Sequence, residues 1–268
     1  MPIFLIAILL GIVEGITEFL PISSTGHLII AAELTGFNDV KEIFTVVIQT
    51  GAIAAVIWFY RQDLTSKVQG LVARSQSAIN FWKLIIIATI PAGIFGLLLE
   101  KNLQSIATPT VVAWALIIGG IILWLVDHKP VDKSAKALKP EIEKITFKQA
   151  LLIGFGQSVA IIPGVSRSGA TIVSGLSLGI DRATATAFSF YLSIPVLVLA
   201  SAYKLLKYPD ALGQISGGPP TLVLGLISAF ITAFFSIKWL LQYVSRHNFK
   251  PFAYYRIIVG IAILLFIS

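Results

Sequence analysis

Six apolar runs, at about 43–60, 84–99, 109–126, 186–203, 220–241 and 252–268, constrain this 268-residue chain more than anything else in it. A hydrocarbon core about 30 Å thick takes about 20 residues of helix, and the runs are of that order. Only 12% of the residues are charged, about half of the roughly 25% usual in a soluble domain. The fold class that follows is an all-α polytopic membrane protein, one transmembrane domain over residues 1–268.

The rest of the composition excludes more than it suggests. With no cysteine, neither a disulfide framework nor a thiolate metal site is available. His27, His128 and His247 are too few for a zinc cage. A net charge of +7 would suggest nucleic acid in a soluble protein. Here the basic residues gather in loops, as they do on the cytoplasmic side of membrane proteins, and no nucleic-acid partner is expected. The opening "MPIFLIAILLGIV" has no basic start and no small-residue cleavage site, and it runs into Glu14, so it reads as part of the fold and not as a cleaved leader.

Two further apolar stretches, about 3–30 and 149–178, are interrupted by Pro, Gly, Ser and charge. Each reads as a broken helix, which a membrane tolerates only where protein or a water-filled cavity surrounds the freed backbone. They also match one another at a constant offset of 143: Gly11 with Gly154, Glu14 with Gln157, Ser23 with Ser166, Gly26 with Gly169 and Gly36 with Gly179. The chain therefore divides into repeats of about 1–127 and 145–268, joined by the polar linker 128–144. Each repeat holds a re-entrant helical hairpin and three transmembrane helices. Three is odd, so the second copy enters from the opposite side, an inverted-topology repeat with its site where the hairpins meet. Loops 61–82, 127–148 and 242–251 then share one side and carry Arg61, Lys67, Arg74, Lys129, Lys133, Lys136, Lys139, Lys144, Lys148, Arg246 and Lys250. The other side shows Lys101, Lys204 and Lys207, a bias that puts both termini outside the cytoplasm.

Chemistry concentrates in the two breaks. In "EGITEFLPISSTGH", Glu14 and Glu18 stand four apart and share a helix face. Two carboxylates that close in a low dielectric require a proton or a cation between them, and oxygen ligands suit Mg²⁺ or Ca²⁺. Pro21 stops the helix, and "SSTGH" opens another whose first N–H groups suit a phosphate. Ser24 and His27, three apart, set a hydroxyl beside a base. The second break, "PGVSRSGAT", offers Arg167 among Ser166, Ser168 and Thr171, a guanidinium shaped for phosphate oxygens. Gly164 and Gly169 let the backbone come close. Serines and glycines alone would argue for helix packing. Glu14, Glu18 and Arg167 facing lipid would cost roughly 2.5–3.5 kcal/mol each, about 8–10 kcal/mol together, against a typical fold stability of about 5–15 kcal/mol. They must face inward, where intramembrane charge marks function.

Other positions carry blander expectations. Gln49 and Thr50 reach the cavity or bond between helices, Glu33 and Glu42 mark the hairpin's end, and Asp181 caps the helix beginning "RATATAF". Trp58, Trp82, Trp124 and Trp239 belong to interfacial belts. His128 and His247 are surface residues.

The two long motifs resemble the signatures of the bacterial undecaprenyl-diphosphate phosphatase family, often called bacitracin-resistance proteins, and the similarity extends over essentially the whole chain. The resemblance implies a hydrolase of the plasma membrane that removes the terminal phosphate of a C55 isoprenoid diphosphate, with a divalent cation, to recycle the lipid carrier of cell-wall synthesis. It implies Glu18, Ser24, His27 and Arg167 as catalytic, and Ser23, Thr25, Gly26, Ser166, Ser168, Gly169 and Thr171 as substrate-binding. Glu14 and Glu18 would hold Mg²⁺ or Ca²⁺. Its partners are the polyprenyl diphosphate lipid and the bilayer, with a homodimer left open and the site expected on the extracytoplasmic side. The type-2 phosphatidic-acid phosphatases share a "GH" and an "SR", but the histidine they need six residues after the arginine is Val173 here.

The expected chemistry has Ser24, deprotonated by His27, attacking the terminal phosphorus. Direct attack by water or by His27, with Ser24 only binding, is the rival. Inverted repeats with broken helices also suit transporters, so a polyprenyl-phosphate flippase is the alternative function; a transporter has less need of a Ser–His pair.

Overall fold

A computed structural model describes residues 1–39, 42–128 and 140–267, side chains excepted at 100–105. Lys129, Lys133, Lys136, Lys139 and most of the linker lie outside the described residues. The described residues form eleven α-helices: α1 (Ile3–Thr17), α2 (Ser24–Thr35), α3 (Ile43–Phe59), α4 (Arg61–Val72), α5 (Gln76–Ile106), α6 (Pro109–Val126), α7 (Phe147–Ser158), α8 (Arg167–Ser177), α9 (Arg182–Lys207), α10 (Gly218–Val244) and α11 (Lys250–Phe266). Among them α5, α6, α9 and α10 are long and apolar enough to cross a membrane, and α3 and α11 are 17 residues each. Large apolar side chains face outward all round, among them Ile86, Leu98, Ile118, Phe235 and Ile258. In water that would be a liability; against lipid chains it is the expected surface.

The loop expected at 61–82 is mostly helix. Arg61–Val72 continues from α3 through a 73° bend at Tyr60, and α5 begins at Gln76. A polar helix that buries none of its own residues turns along the surface instead of crossing. The expected cap is present: the Asp181 carboxylate accepts the Thr184 N–H at 2.9 Å and starts α9. Glu42 precedes α3 and pairs with Lys204. Trp58, Trp124 and Trp239 are exposed, whereas Trp82 is half-buried and donates to the Lys67 carbonyl at 3.4 Å. His128 and His247 are exposed, each bonded to a carbonyl of its own helix end.

Helix α9 is the ruler against which both hairpins can be placed. At its start Arg182 binds the buried Asp127, whose other oxygen accepts the Phe249 N–H at 2.5 Å, and Thr184 accepts the Glu141 N–H at 2.9 Å. Residues 127, 141, 182 and 249 therefore share one end of the bundle, so α7–α8 enters and leaves there. At its far end Lys204 meets Glu42, and beyond it Gly217 lies against Ile3. The pair α1–α2 thus enters and leaves at the opposite end. Lys67 with Glu143, 3.2 Å apart, joins α4 to the first end.

The two hairpins pack alike. Helix α1 lies on α10 and α7 on α5, each on the second long helix of the other half. A Cβ at Gly11 would sit 2.3 Å from the Gly225 carbonyl oxygen, and one at Gly154 would sit 2.5 Å from that of Ala88. Only glycine allows backbones that close. The residues of the first break, Phe19, Leu20 and Ile22, join Ile172, Phe190, Ile237 and Phe252 in the central core.

Candidate active site

The last turn of α1 points Glu14 and Glu18 into the protein, where they are 1% and 5% exposed. The chain then breaks over Phe19–Ser23, and Ser23 takes φ 75°, a left-handed conformation unusual for a residue with a side chain. Its hydroxyl caps α2 by accepting the Gly26 N–H at 3.3 Å. The second break repeats this at the offset of 143: Ser166 has φ 74° and its hydroxyl accepts the Gly169 N–H at 3.0 Å. Strain of this kind costs of order 1–3 kcal/mol and clusters at functional sites. Its effect here is to turn the first residues of α2 and α8, Ser24 and Arg167, toward one another's hairpin.

They meet at Glu18. Arg167 Nη2 donates to Glu18 Oε1 at 2.9 Å, and Ser24 Oγ donates to Glu18 Oε2 at 2.5 Å. One carboxylate thus joins a hydroxyl of the first hairpin to the guanidinium of the second. Arg167 Nη1 is fixed by Ser189, through its carbonyl at 2.8 Å and its hydroxyl at 3.3 Å, and the guanidinium stands over the Phe19 ring. Thr171 donates to the Ser189 hydroxyl at 2.7 Å, and Ser168 donates to the Leu20 carbonyl at 2.7 Å, tying α8 to the first break. Of the expected binding residues only Thr25 is exposed; Ser23, Gly26, Ser166, Ser168, Gly169 and Thr171 are buried.

The expected Ser24–His27 pair is not formed. Spacing puts both on one side of α2, but the left-handed Ser23 swings Ser24 onto Glu18, while the His27 ring folds back on its own helix start. Its Nδ1 lies 2.7 Å from the Ser23 carbonyl oxygen and so carries the proton. In the neutral ring Nε2 then accepts from the Tyr255 hydroxyl at 2.9 Å, with the two rings stacked at 5.7 Å. Thr50 spends its hydroxyl on the Val47 carbonyl at 2.6 Å within α3, and Gln49 is half-buried there.

Several buried polar atoms have no hydrogen-bond partner: Glu14 Oε1, Arg167 Nε, and both amide atoms of Gln157, the residue that matches Glu14 in the second hairpin. Unsatisfied polar atoms in so apolar a setting are costly unless a ligand completes them. Among the described residues no three His, Cys, Asp or Glu side chains cluster as a metal cage. A hard cation that uses one or two carboxylates and takes its other ligands from phosphate and water needs no such cage. The free oxygen of Glu14, beside Glu18, fits that donor pattern.

Sequence reasoning missed Arg256. It is 1% exposed in α11, and its guanidinium donates to carbonyls on both breaks: Pro21 at 3.0 Å in the first, and Val165 at 2.9 Å and Gly164 at 3.3 Å in the second. It also reaches Ala115 at 3.1 Å and Leu116 at 3.4 Å in α6. The cost of a charge in lipid, applied to the run 252–268, would have found it. Ser189 carried no such signal, being one uncharged serine in an apolar helix.

A family model described as "Bacitracin resistance protein BacA" matches residues 7–262. "Undecaprenyl-diphosphatase 1" of Burkholderia cenocepacia (strain HI2424) is 45% identical over 261 residues, 97% of this chain and 94% of that protein. "Undecaprenyl-diphosphatase 1" of Paraburkholderia xenovorans (strain LB400) is 46% identical over 267 residues, with 97% and 93% covered. "Undecaprenyl-diphosphatase 3" of Acinetobacter baylyi (strain ATCC 33305 / BD413 / ADP1) is 46% identical over 260 residues, 96% of each chain.

Proposed function

The chain belongs to the bacitracin resistance protein BacA family, and on that premise we propose that it hydrolyses undecaprenyl diphosphate to undecaprenyl phosphate and inorganic phosphate, recycling the lipid carrier of cell-wall synthesis. The observation that carries the reading is the Glu18 carboxylate, which takes Ser24 Oγ at 2.5 Å on one oxygen and Arg167 Nη2 at 2.9 Å on the other. A nucleophile, a base and an anion binder are held together where two re-entrant hairpins meet. Carriage of a lipid across the membrane gives the serine–carboxylate contact no task.

Cleaving a diphosphate needs chiefly positioning and charge neutralisation. In the proposed route Ser24 Oγ bonds to the terminal phosphorus as the bond from that phosphorus to the bridging oxygen breaks. The hydroxyl proton passes to Glu18 and from it to the departing lipid phosphate. Water then attacks the phosphoserine phosphorus as its bond to Ser24 Oγ breaks; the proton water gives to Glu18 passes on to Ser24 Oγ, which restores both groups, and inorganic phosphate leaves. Arg167 stabilises the equatorial oxygens, and its unpartnered Nε is a further donor for them. Glu18 replaces His27 as the base because Ser24 touches Glu18 and His27 does not point at it. A divalent cation, Mg²⁺ or Ca²⁺, held by Glu14 and Glu18, would neutralise diphosphate charge.

The proposed setting is the bacterial inner membrane. The basic residues of α4 and of the turn before α11 would face the cytoplasm, so that the first hairpin opens on the extracytoplasmic side. The decisive test is phosphate release from C55 or C15 diphosphate by the purified protein in detergent, where no sidedness exists. Release, with a phosphorylated Ser24 trapped by acid quench, supports the scheme. No release from the folded protein returns the flippase, and Ser24→Ala retaining a few per cent of turnover would remove the serine nucleophile in favour of water.

A further inference from the structure

An apolar groove of about 190 Å³ runs between α1, α2, α6 and α11, lined by Val13, Ile30, Ala31, Leu116, Val259 and Ile263, with His27 as its one polar side chain. Leu34, at 73% exposure, stands at its outer end, so the groove opens on the apolar outer surface. At its inner end lies Gly26. A Cβ on Gly26 would sit 3.0 Å from Val112 on α6, 3.4 Å from Ser23 Oγ and 3.7 Å from the Gly164 Cα, so the glycine at the groove's inner end packs against both hairpin breaks. An apolar channel that opens at Leu34 and ends at Gly26, beside Ser23, has the chemistry of a prenyl chain's seat, not of a headgroup's.

We propose that this groove holds the head-proximal isoprenyl units of the lipid diphosphate, and that Ala31 on α2 and Val259 on α11 are specificity-determining walls. The inference rests on the phosphatase reading above. The volume sets its extent: about 190 Å³ is below the roughly 300–1,000 Å³ that encloses a drug-sized ligand. The groove therefore takes only the first units of a C55 chain, and the remainder stays in the bilayer. His27, stacked on Tyr255 at the groove's head, stands where tail gives way to diphosphate.

The experiment compares Ala31→Trp and Val259→Trp, which fill the groove from opposite walls, in detergent. Two quantities are read: KM for C15 diphosphate, and inhibition by methylenediphosphonate, which has no tail. Only a variant whose unfolding midpoint stays within a few degrees of the parent is used, and Ala31→Val and Val259→Phe replace a variant that fails this. The expected result is a KM raised tenfold or more for the C15 substrate, with inhibition by the tail-free compound within twofold of the parent. A KM within twofold at both walls overturns the groove, and so does an equal loss of tail-free inhibition, which would mean that the substitutions act on the headgroup site. Failure of the phosphatase reading is separate: the parent protein would then release no phosphate from the C15 diphosphate at all.

Discussion

Replacing Arg256 by methionine, a side chain of similar length without charge, tests whether one buried cation holds both hairpin breaks in place. The guanidinium makes three short bonds, to Val165 at 2.9 Å, Pro21 at 3.0 Å and Ala115 at 3.1 Å, and two longer ones. Hydrogen bonds to a charged donor contribute about 1.5–3 kcal/mol each, so the short three sum to about 5–9 kcal/mol. Against this stands the desolvation of a buried ion, several kcal/mol, and among the described residues no carboxylate pairs with Arg256 to offset it. The difference leaves a destabilisation of about 2–4 kcal/mol for Arg256→Met. In a chain of this size that lowers the unfolding midpoint by about 5–15 °C. Activity should fall further than stability, because the carbonyls released belong to the segments that present Ser24 and Arg167, and a 1 Å displacement can cost about 100-fold. Arg256→Lys keeps the charge but cannot span both breaks, and should be intermediate. Gly119→Ala is an independent probe: its Cβ would lie 2.1 Å from Arg256 Nη2 and push the guanidinium aside. Midpoints by thermal scan and phosphate release in detergent are the assays. Arg256→Met with an unshifted midpoint and at least half of parental turnover would refute the reasoning.

Glu18→Gln and Arg167→Ala should each reduce turnover by about 10²–10³-fold, and the double variant should be little worse than either because they act as a unit; a multiplicative double loss would separate them. EDTA should abolish phosphate release and Mg²⁺ or Ca²⁺ should restore it, whereas full activity in chelator takes the cation out of the scheme. Gly11→Val and Gly154→Val should destabilise by similar amounts, about 1–3 kcal/mol of overpacking each or more, read as comparable falls in the midpoint, since both meet a carbonyl of the opposite half; tolerance of one and not the other would break the equivalence of the hairpins.

The fold was legible in the sequence where one residue's property is enough to decide it. Apolar runs of membrane length became helices, Pro21 and the glycines of "PGVSRSGAT" marked the breaks, and Asp181 started α9 as a cap should. The stretch after Tyr60 was not legible, because a short polar segment reads alike as loop or as surface helix until its bend is known. Within the site, Glu18, Ser24 and Arg167 were found by charge and motif, but their connections were not. Helical spacing says which residues share a side; it says nothing of where a left-handed Ser23 aims that side.

The same distinction explains why Arg256 escaped notice and what role remains for His27. Both bind main chain: Arg256 five carbonyls far away in sequence, and His27 the Ser23 carbonyl four residues back as well as the Tyr255 hydroxyl. A carbonyl has no sequence signature, so such contacts cannot be read from residue types. They are nonetheless what a pair of half-membrane hairpins needs, since broken helices leave carbonyls that lipid cannot satisfy. A buried guanidinium with five donors answers that need at two breaks at once, which makes it the counterpart, on the structural side, of the headgroup role proposed for Arg167. On this view the two arginines divide the work. Arg256 binds the carbonyls that the breaks expose, and on the proposed route Arg167, held by Ser189, would trade Glu18 for phosphate.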